Sequence, residues 1–220
     1  MSQVLRIAHF SFNLPLKRHE LPLWRSAFLH MFPSELGLET LSPLEATYPL
    51  IQFCRIGKQA GIVAINEGVQ AIKQSIAAQS CSFRWQNQEY SLGIQQIDTF
   101  NHSFTVLGKP QNYLIEAYLP FSGNAKTDAT ADLELSLLAQ VQVLQQRVNE
   151  HLQHLTDQLV LDFPAPVQAQ LTHLDRSKFL SRSPDSPKVY YLRCSCPLSL
   201  PSLLGIGEGT AFGLGRIIPL

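Results

Sequence analysis

The sequence predicts an α+β protein, and three observations carry that expectation. Through Ile76, β-prone runs alternate with two amphipathic helical stretches. One long helical stripe dominates the second half, and the chain then returns to a β-prone run before a glycine-rich end. The composition supports a packed core. Hydrophobic residues make up 45% of the 220, and charged residues only 15%, against roughly a quarter in ordinary soluble proteins, so a disordered chain is excluded. The length suits one large domain or two of roughly 100 residues each.

Taken in order, Val4–Leu14 (VLRIAHFSFNL) is the first strand, with Ile7, His9 and Ser11 on one face. Glu20–Phe32 places Leu23, Ala27, Phe28 and Met31 at helical spacing, and Pro33 closes that helix. Residues 33–46, with two prolines, a glycine and two serines, form a loop. Tyr48–Ile56 and Ala60–Ile65 flank Gly57-Lys58-Gln59, the signature of a β-hairpin whose glycine supplies a positive φ. Asn66 caps the next helix, Glu67 sits in its first turn where the macrodipole favours an anion, and Val69, Ile72 and Ile76 form its apolar stripe. The order is then β-α-β-β-α. One of the β-prone pieces at Cys81–Trp85, Tyr90–Ile94 or Phe104–Leu107 completes a ferredoxin-like β-α-β-β-α-β unit.

Tyr113–Leu119 opens the second half as a strand, and residues 120–130 form a polar turn. Leu137, Val141, Leu144, Val148, Leu152, Leu155 and Leu159 step by three or four and form one stripe on a helix from about Ala131 to Val160. Pro164 and Pro166 stop it. Pro184 and Pro187 bracket a loop, and Val189–Cys196 is a strand whose two cysteines face one side as small buried residues. Cys54, Cys81, Cys194 and Cys196 form no CxxC pair and have no zinc-like histidine spacing. No metal or cofactor is expected. Neither a signal peptide nor a long apolar run is present, which points to a soluble, cytoplasmic protein.

The formal net charge is zero, with 17 basic and 17 acidic residues, which excludes a uniformly basic nucleic-acid-coating protein. The charges are segregated. Residues 131–175 hold one basic and six acidic residues, and residues 176–220 hold six basic and two acidic ones. Arg176, Lys178, Arg182, Lys188 and Arg193 crowd together beside Phe179, Tyr190 and Tyr191. Cations interleaved with aromatics suit phosphate contact plus base stacking, although a solvated loop accounts for them as well.

Five glycines, Gly205, Gly207, Gly209, Gly213 and Gly215, fall within 11 residues and are followed by Arg216. Such density lets backbone approach a ligand closely and point N–H groups at phosphate oxygens. The stretch lacks the GK[ST] ending of a Walker loop, and a strand rather than a helix follows it, so it is not a dinucleotide fingerprint. Glycines that only shape a tight β-turn remain the alternative.

This GIGxGxxxGLG stretch, behind a strand and CPLSLPSLLGIGEG, resembles the repeat-associated RNA-binding superfamily of CRISPR systems. Within it the chain looks like the b-type branch of the Cas-six repeat-RNA endoribonucleases. The supporting segment is YPLIQFCRIGKQAGIVAINEGVQAI, Tyr48–Ile72, similar to that branch's YPLIQYK-like motif and the EG-containing helix start behind it. The two segments span about 50 residues.

The resemblance implies tandem ferredoxin-like (RRM-like) domains, 1–108 and 109–220, the second degenerate and carrying the glycine-rich loop. It implies metal-independent cleavage of CRISPR repeat RNA, the guide precursor. In that reaction the ribose 2′-hydroxyl attacks the scissile phosphate, the 5′-oxygen leaves, and the mature guide stays bound. Such chemistry needs a base, an acid and fixed donors for the phosphorane charge, and histidine suits the proton transfers. Tyr48 falls on the tyrosine of the motif and is carried over as catalytic. The family's paired histidines have no counterpart in SELGLETLSPLEATYP, so the closest upstream histidine, His30, is the candidate imidazole. The RNA-binding set is Gly205, Gly207, Gly209, Gly213, Gly215, Arg216, Arg176, Lys178, Arg182, Lys188 and Arg193. Relatives usually carry a Lys or Arg among the glycines, where this chain has Glu208. The alternative is a catalytically inactive RNA-binding or assembly subunit that contacts other CRISPR effector subunits. His151 and His154, i,i+3 neighbours, are expected to sit on a solvated helix face.

Overall fold

A computed structural model describes residues 3–32, 38, 47–78, 82–85, 88–121, 136–163, 165–180 and 186–220. Two compact units form. One gathers Val4–His102 with Ala211–Gly213, and the other gathers Ser103–Thr210 and Leu214–Leu220.

In the first unit the strands are β1 (Gln3–Pro15), β2 (Ile51–Ile56), β3 (Gln59–Ile65), β4 (Ser82–Trp85), β5 (Gln88–Ser91) and β6 (Ile94–Phe104). The helices are α1 (Leu21–Met31) and α2 (Glu67–Ala78). The main sheet runs β2-β3-β1-β6, which is the ferredoxin-like order once β6 is taken as the fourth strand. The β4–β5 hairpin is inserted before it and pairs only with itself. Apolar alternation along β1 puts Ala8, Phe10, Phe12 and Leu14 into the core. There Phe12, Trp24, Phe28 and Phe53 meet at ring separations of 5.2 to 6.1 Å in tilted and edge-on pairs. The Trp24 indole N–H donates to the Gly61 carbonyl at 3.2 Å, so the buried polar end of the ring is satisfied.

The hairpin expected around Gly57 is present, with φ +61° at that glycine and Ile56 opposite Gln59. Asn66 does not cap α2 through its side chain. Its backbone adopts φ +48°, and its Oδ1 accepts instead from the Arg6 N–H at 3.1 Å. Asparagine tolerates this left-handed conformation better than most residues, and the contact ties the end of β3 to β1. The loop expected over 33–46 lies outside the described residues apart from Leu38, as do Cys81 and residues 122–130 of the polar turn.

The second unit consists of β7 (Val106–Tyr118), α3 (Leu137–Gln158), β8 (Gln170–Phe179), β9 (Lys188–Leu198) and β10 (Arg216–Pro219). Its antiparallel sheet runs β10-β7-β9-β8, the same order with one helix missing. Between β9 and β10 the described chain makes only a short 3-10 turn at Thr210–Phe212 within the glycine-rich stretch. The fold is therefore α+β with tandem ferredoxin-like units, the second degenerate. Ser136 caps α3 by accepting from the Ala139 N–H at 3.3 Å. Leu144, Val148, Leu152, Leu155 and Leu159 of the expected stripe are buried, whereas Leu137 is exposed at the first turn. Asn149 on α3 holds the approach to β8 by accepting from the Ala169 N–H at 2.8 Å. Among the described residues no helix is long and apolar enough to cross a membrane.

Candidate nucleic-acid interface

Strand β8 has a sequence that hides it. QLTHLDRSKF carries polar residues on both faces because β8 is the sheet edge, exposed over most of its length. Its register with β9 sets Arg176 opposite Tyr191, Lys178 opposite Val189, and Phe179 opposite Lys188. Arg176 and Lys178 lie two residues apart and so project from one face. Both cover the Tyr191 ring, with the Arg176 guanidinium 4.2 Å and the Lys178 ammonium 5.5 Å from its centroid. Lys188 stands 5.2 Å from the Tyr190 centroid.

Tyr190 and Tyr191 are both buried, so they carry cations from beneath rather than offering rings to bases. Phe179, 52% exposed, is the aromatic side chain left open for stacking on this strand. Arg193 has a different role, because its Nε donates to Asp175 Oδ2 at 2.9 Å. Arg182 lies outside the described residues.

The glycine-rich stretch turns the chain from the end of β9 back to β10. Gly207, Gly209, Gly213 and Gly215 all have φ between +66° and +95°. Gly215 is the tightest. A Cβ there would stand 1.7 Å from the Ile206 carbonyl oxygen, and Gly215 and Ile206 are joined by a backbone hydrogen bond of 2.9 Å. At Gly207 a Cβ would meet the Tyr118 ring at 2.7 Å. The Glu208 and Gly215 N–H groups donate to the carbonyls of Leu119 and Ala117 at 2.9 and 3.1 Å. These donors fasten the loop to the end of β7. Gly205 is buried and bridges to Arg216, whose guanidinium is engaged by Glu116 on β7.

A second arrangement in this unit leaves no local mark in the sequence. Tyr118 ends β7, His151 lies on α3, and Glu208 sits among the glycines. The Tyr118 hydroxyl lies 2.7 Å from His151 Nδ1, and His151 Nε2 lies 3.6 Å from Glu208 Oε1. Burial keeps the Tyr118 phenol protonated, well above its usual range, so the hydroxyl stays in the His151 contact as an O–H. His151, together with the nearby cations, holds the Glu208 carboxyl below its usual range against the opposing effect of burial. The i,i+3 pair His151 and His154 is therefore split, with His151 turned inward and His154 exposed. Among the described residues no cluster of His, Cys, Asp or Glu suits a metal ion.

The two catalytic candidates belong to the first unit. His30 is exposed in the last turn of α1. Tyr48, ahead of β2, is only 9% exposed and interacts with the Gln52 side chain, while burial pushes its phenol well above the usual range.

Residues 3–103 match the family model described as the Cas6b N-terminal domain. This match, over just under half of the chain, is a similarity to the Cas6b family. That matched region contains His30 and Tyr48, while β8 and the glycine-rich stretch lie beyond it. Solved structures similar to the whole chain include a crystal structure of Cas6b, 15% identical with a TM-score of 0.82, covering 99% of this chain and 100% of that one. A crystal structure of the CRISPR RNA processing endoribonuclease Cas6b is also 15% identical, with a TM-score of 0.73 and the same coverage. A RAMP protein binding different RNA substrates is 13% identical with a TM-score of 0.56, covering 98% of this chain and 99% of that one. At these identities the likeness concerns the fold. No curated protein sequence matches this chain.

Proposed function

We propose that this protein binds CRISPR repeat RNA and cleaves it in the cytoplasm without a metal ion, keeping the guide bound. The carrying observation is the Cas6b N-terminal match over residues 3–103, which includes both His30 and Tyr48. The two domains, 1–108 and 109–220, divide the work. His30 is exposed and free to reach a ribose, so it takes the proton of the 2′-hydroxyl as the new O–P bond forms. The P–O5′ bond breaks, the 5′-oxygen gains a proton, and a 2′,3′-cyclic phosphate remains. Tyr48, protonated at neutral pH, serves as a hydrogen-bond donor rather than a base.

Binding rests on Arg176, Lys178 and Lys188 with Phe179 at the β8 edge, on Arg182 and on the glycine-rich loop, while Arg193 and Arg216 brace the sheet through Asp175 and Glu116. Phosphates take the cations and bases take the exposed ring. A second reading, a relative that binds RNA or assembles with effector subunits without cutting, draws support from the burial of Tyr48.

The experiment incubates the protein with its repeat RNA in EDTA, beside His30→Ala and Tyr48→Phe. Cleavage in EDTA that His30→Ala abolishes, with binding retained, supports the enzyme. Tight binding without cleavage supports the second reading, and no binding at low salt overturns both.

A further inference from the structure

The glycine-rich loop presents a carboxylate where an RNA-contacting surface would favour a cation. Glu208 is 36% exposed at its side chain, and its backbone N–H is fixed to Leu119. The nearest partner of that carboxylate is His151, whose own side chain is 14% exposed and whose Nδ1 is held by the Tyr118 hydroxyl at 2.7 Å. A ring fixed at one nitrogen by a buried phenol cannot swing away, so its other nitrogen stays aimed at the loop.

We infer that His151 is a positioning residue for the loop: held by Tyr118, its ring pairs with the Glu208 carboxylate and so sets how well the loop accepts RNA phosphate. The inference rests on the RNA-binding reading above. An unscreened carboxylate on a phosphate-facing loop repels its ligand, while a paired one does not.

The other charged and titratable groups around the ring are accounted for. Arg147 and Glu150 on the same helix pair with each other at 2.8 Å, and the Arg147 guanidinium lies 4.8 Å from the Phe121 centroid. Arg147 and His154 act on Glu208 more weakly than His151 does, and Cys194 of β9 lies toward Tyr118. Arg147 is charged at neutral pH, Glu150 remains a carboxylate because its hydrogen bonds lower its pKa, and burial pushes the Cys194 thiol up to about 12.

The test measures the anisotropy of labelled repeat RNA at neutral pH with wild type, His151→Gln, Glu208→Gln and the double variant. His151→Gln is expected to weaken binding severalfold, whereas Glu208→Gln should bind at least as tightly as wild type and the double variant should match Glu208→Gln. A His151→Gln affinity equal to wild type, or a double variant as weak as His151→Gln, overturns the inference while leaving RNA binding standing. Absence of RNA binding by wild type at low salt overturns the RNA reading and the inference together. Thermal melts of the four proteins at neutral pH give a readout without RNA. Non-additive shifts are expected, and strictly additive ones overturn the pairing.

Discussion

Arg216 and Glu116 face each other across β10 and β7, both largely covered, with 12% and 17% of their side chains exposed. This cross-strand ion pair closes the last strand onto the sheet. Removing one partner strands a charge that the surrounding sheet has already desolvated. Arg216→Ala is therefore expected to cost about 3 kcal/mol, and Glu116→Gln somewhat less because the amide still accepts a hydrogen bond. Urea denaturation checks this, and a loss below roughly 0.5 kcal/mol, the range typical of exposed pairs, would show that the pair is solvated.

Two glycines with nearly equal dihedrals predict unequal costs. Gly57 has φ +61° and open space where a Cβ would stand, whereas Gly215 has φ +66° and a carbonyl oxygen 1.7 Å away. Gly57→Ala is expected to cost about 1 kcal/mol, from the left-handed backbone alone. Gly215→Ala adds a clash that only backbone movement relieves, and about 3 kcal/mol or more is expected. Equal midpoints for the two variants would contradict the tight turn at Gly215.

The first unit was legible because its signals are local and repeated. Alternation in β1 and the stripe of α2 follow from burial on one face, and the Gly57 hairpin follows from a positive-φ glycine between two apolar runs. The second unit hid β8, since an edge strand exposed on both faces keeps no period-2 apolar pattern. The expected piece at Phe104–Leu107 proved to be the join of two long strands, β6 and β7, whose exposed outer halves carry the same weak signal. Side-chain placement was less legible still. Sequence spacing grouped Arg193 and Arg216 with the other cations, but their partners, Asp175 and Glu116, come from neighbouring strands. The pairing of His151 with Tyr118 spans 33 residues and leaves no local mark.

The buried thiols and phenols predict instability in alkali. Burial pushes Cys194 up to about 12 and raises Cys196, Tyr113 and Tyr118 as well. In the unfolded chain a thiol releases its proton near pH 8.5, so above that pH the unfolded state binds fewer protons than the folded one. Stability is then fully present below about pH 8.5 and declines as pH rises toward 12. Urea midpoints at pH 7, 9 and 10.5 should fall in that order. A thiol reagent at pH 8 should label Cys194 and Cys196 only after unfolding, and rapid labelling of both in the native protein would refute their burial.

The β8 edge predicts how binding depends on salt. Arg176 and Lys178 are exposed cations on one strand face, and each phosphate contact to single-stranded nucleic acid contributes about 0.7 to the slope of log K against log salt. Arg176→Ala and Lys178→Ala should each weaken repeat-RNA binding and lower that slope by about 0.7, and the double variant by about twice as much. Phe179→Ala removes a ring and no charge. It should cost about 1 to 3 kcal/mol of binding and leave the slope unchanged. Anisotropy titrations from 50 to 400 mM salt separate the two contributions. Unchanged slopes in both cation variants would place the RNA elsewhere on the molecule.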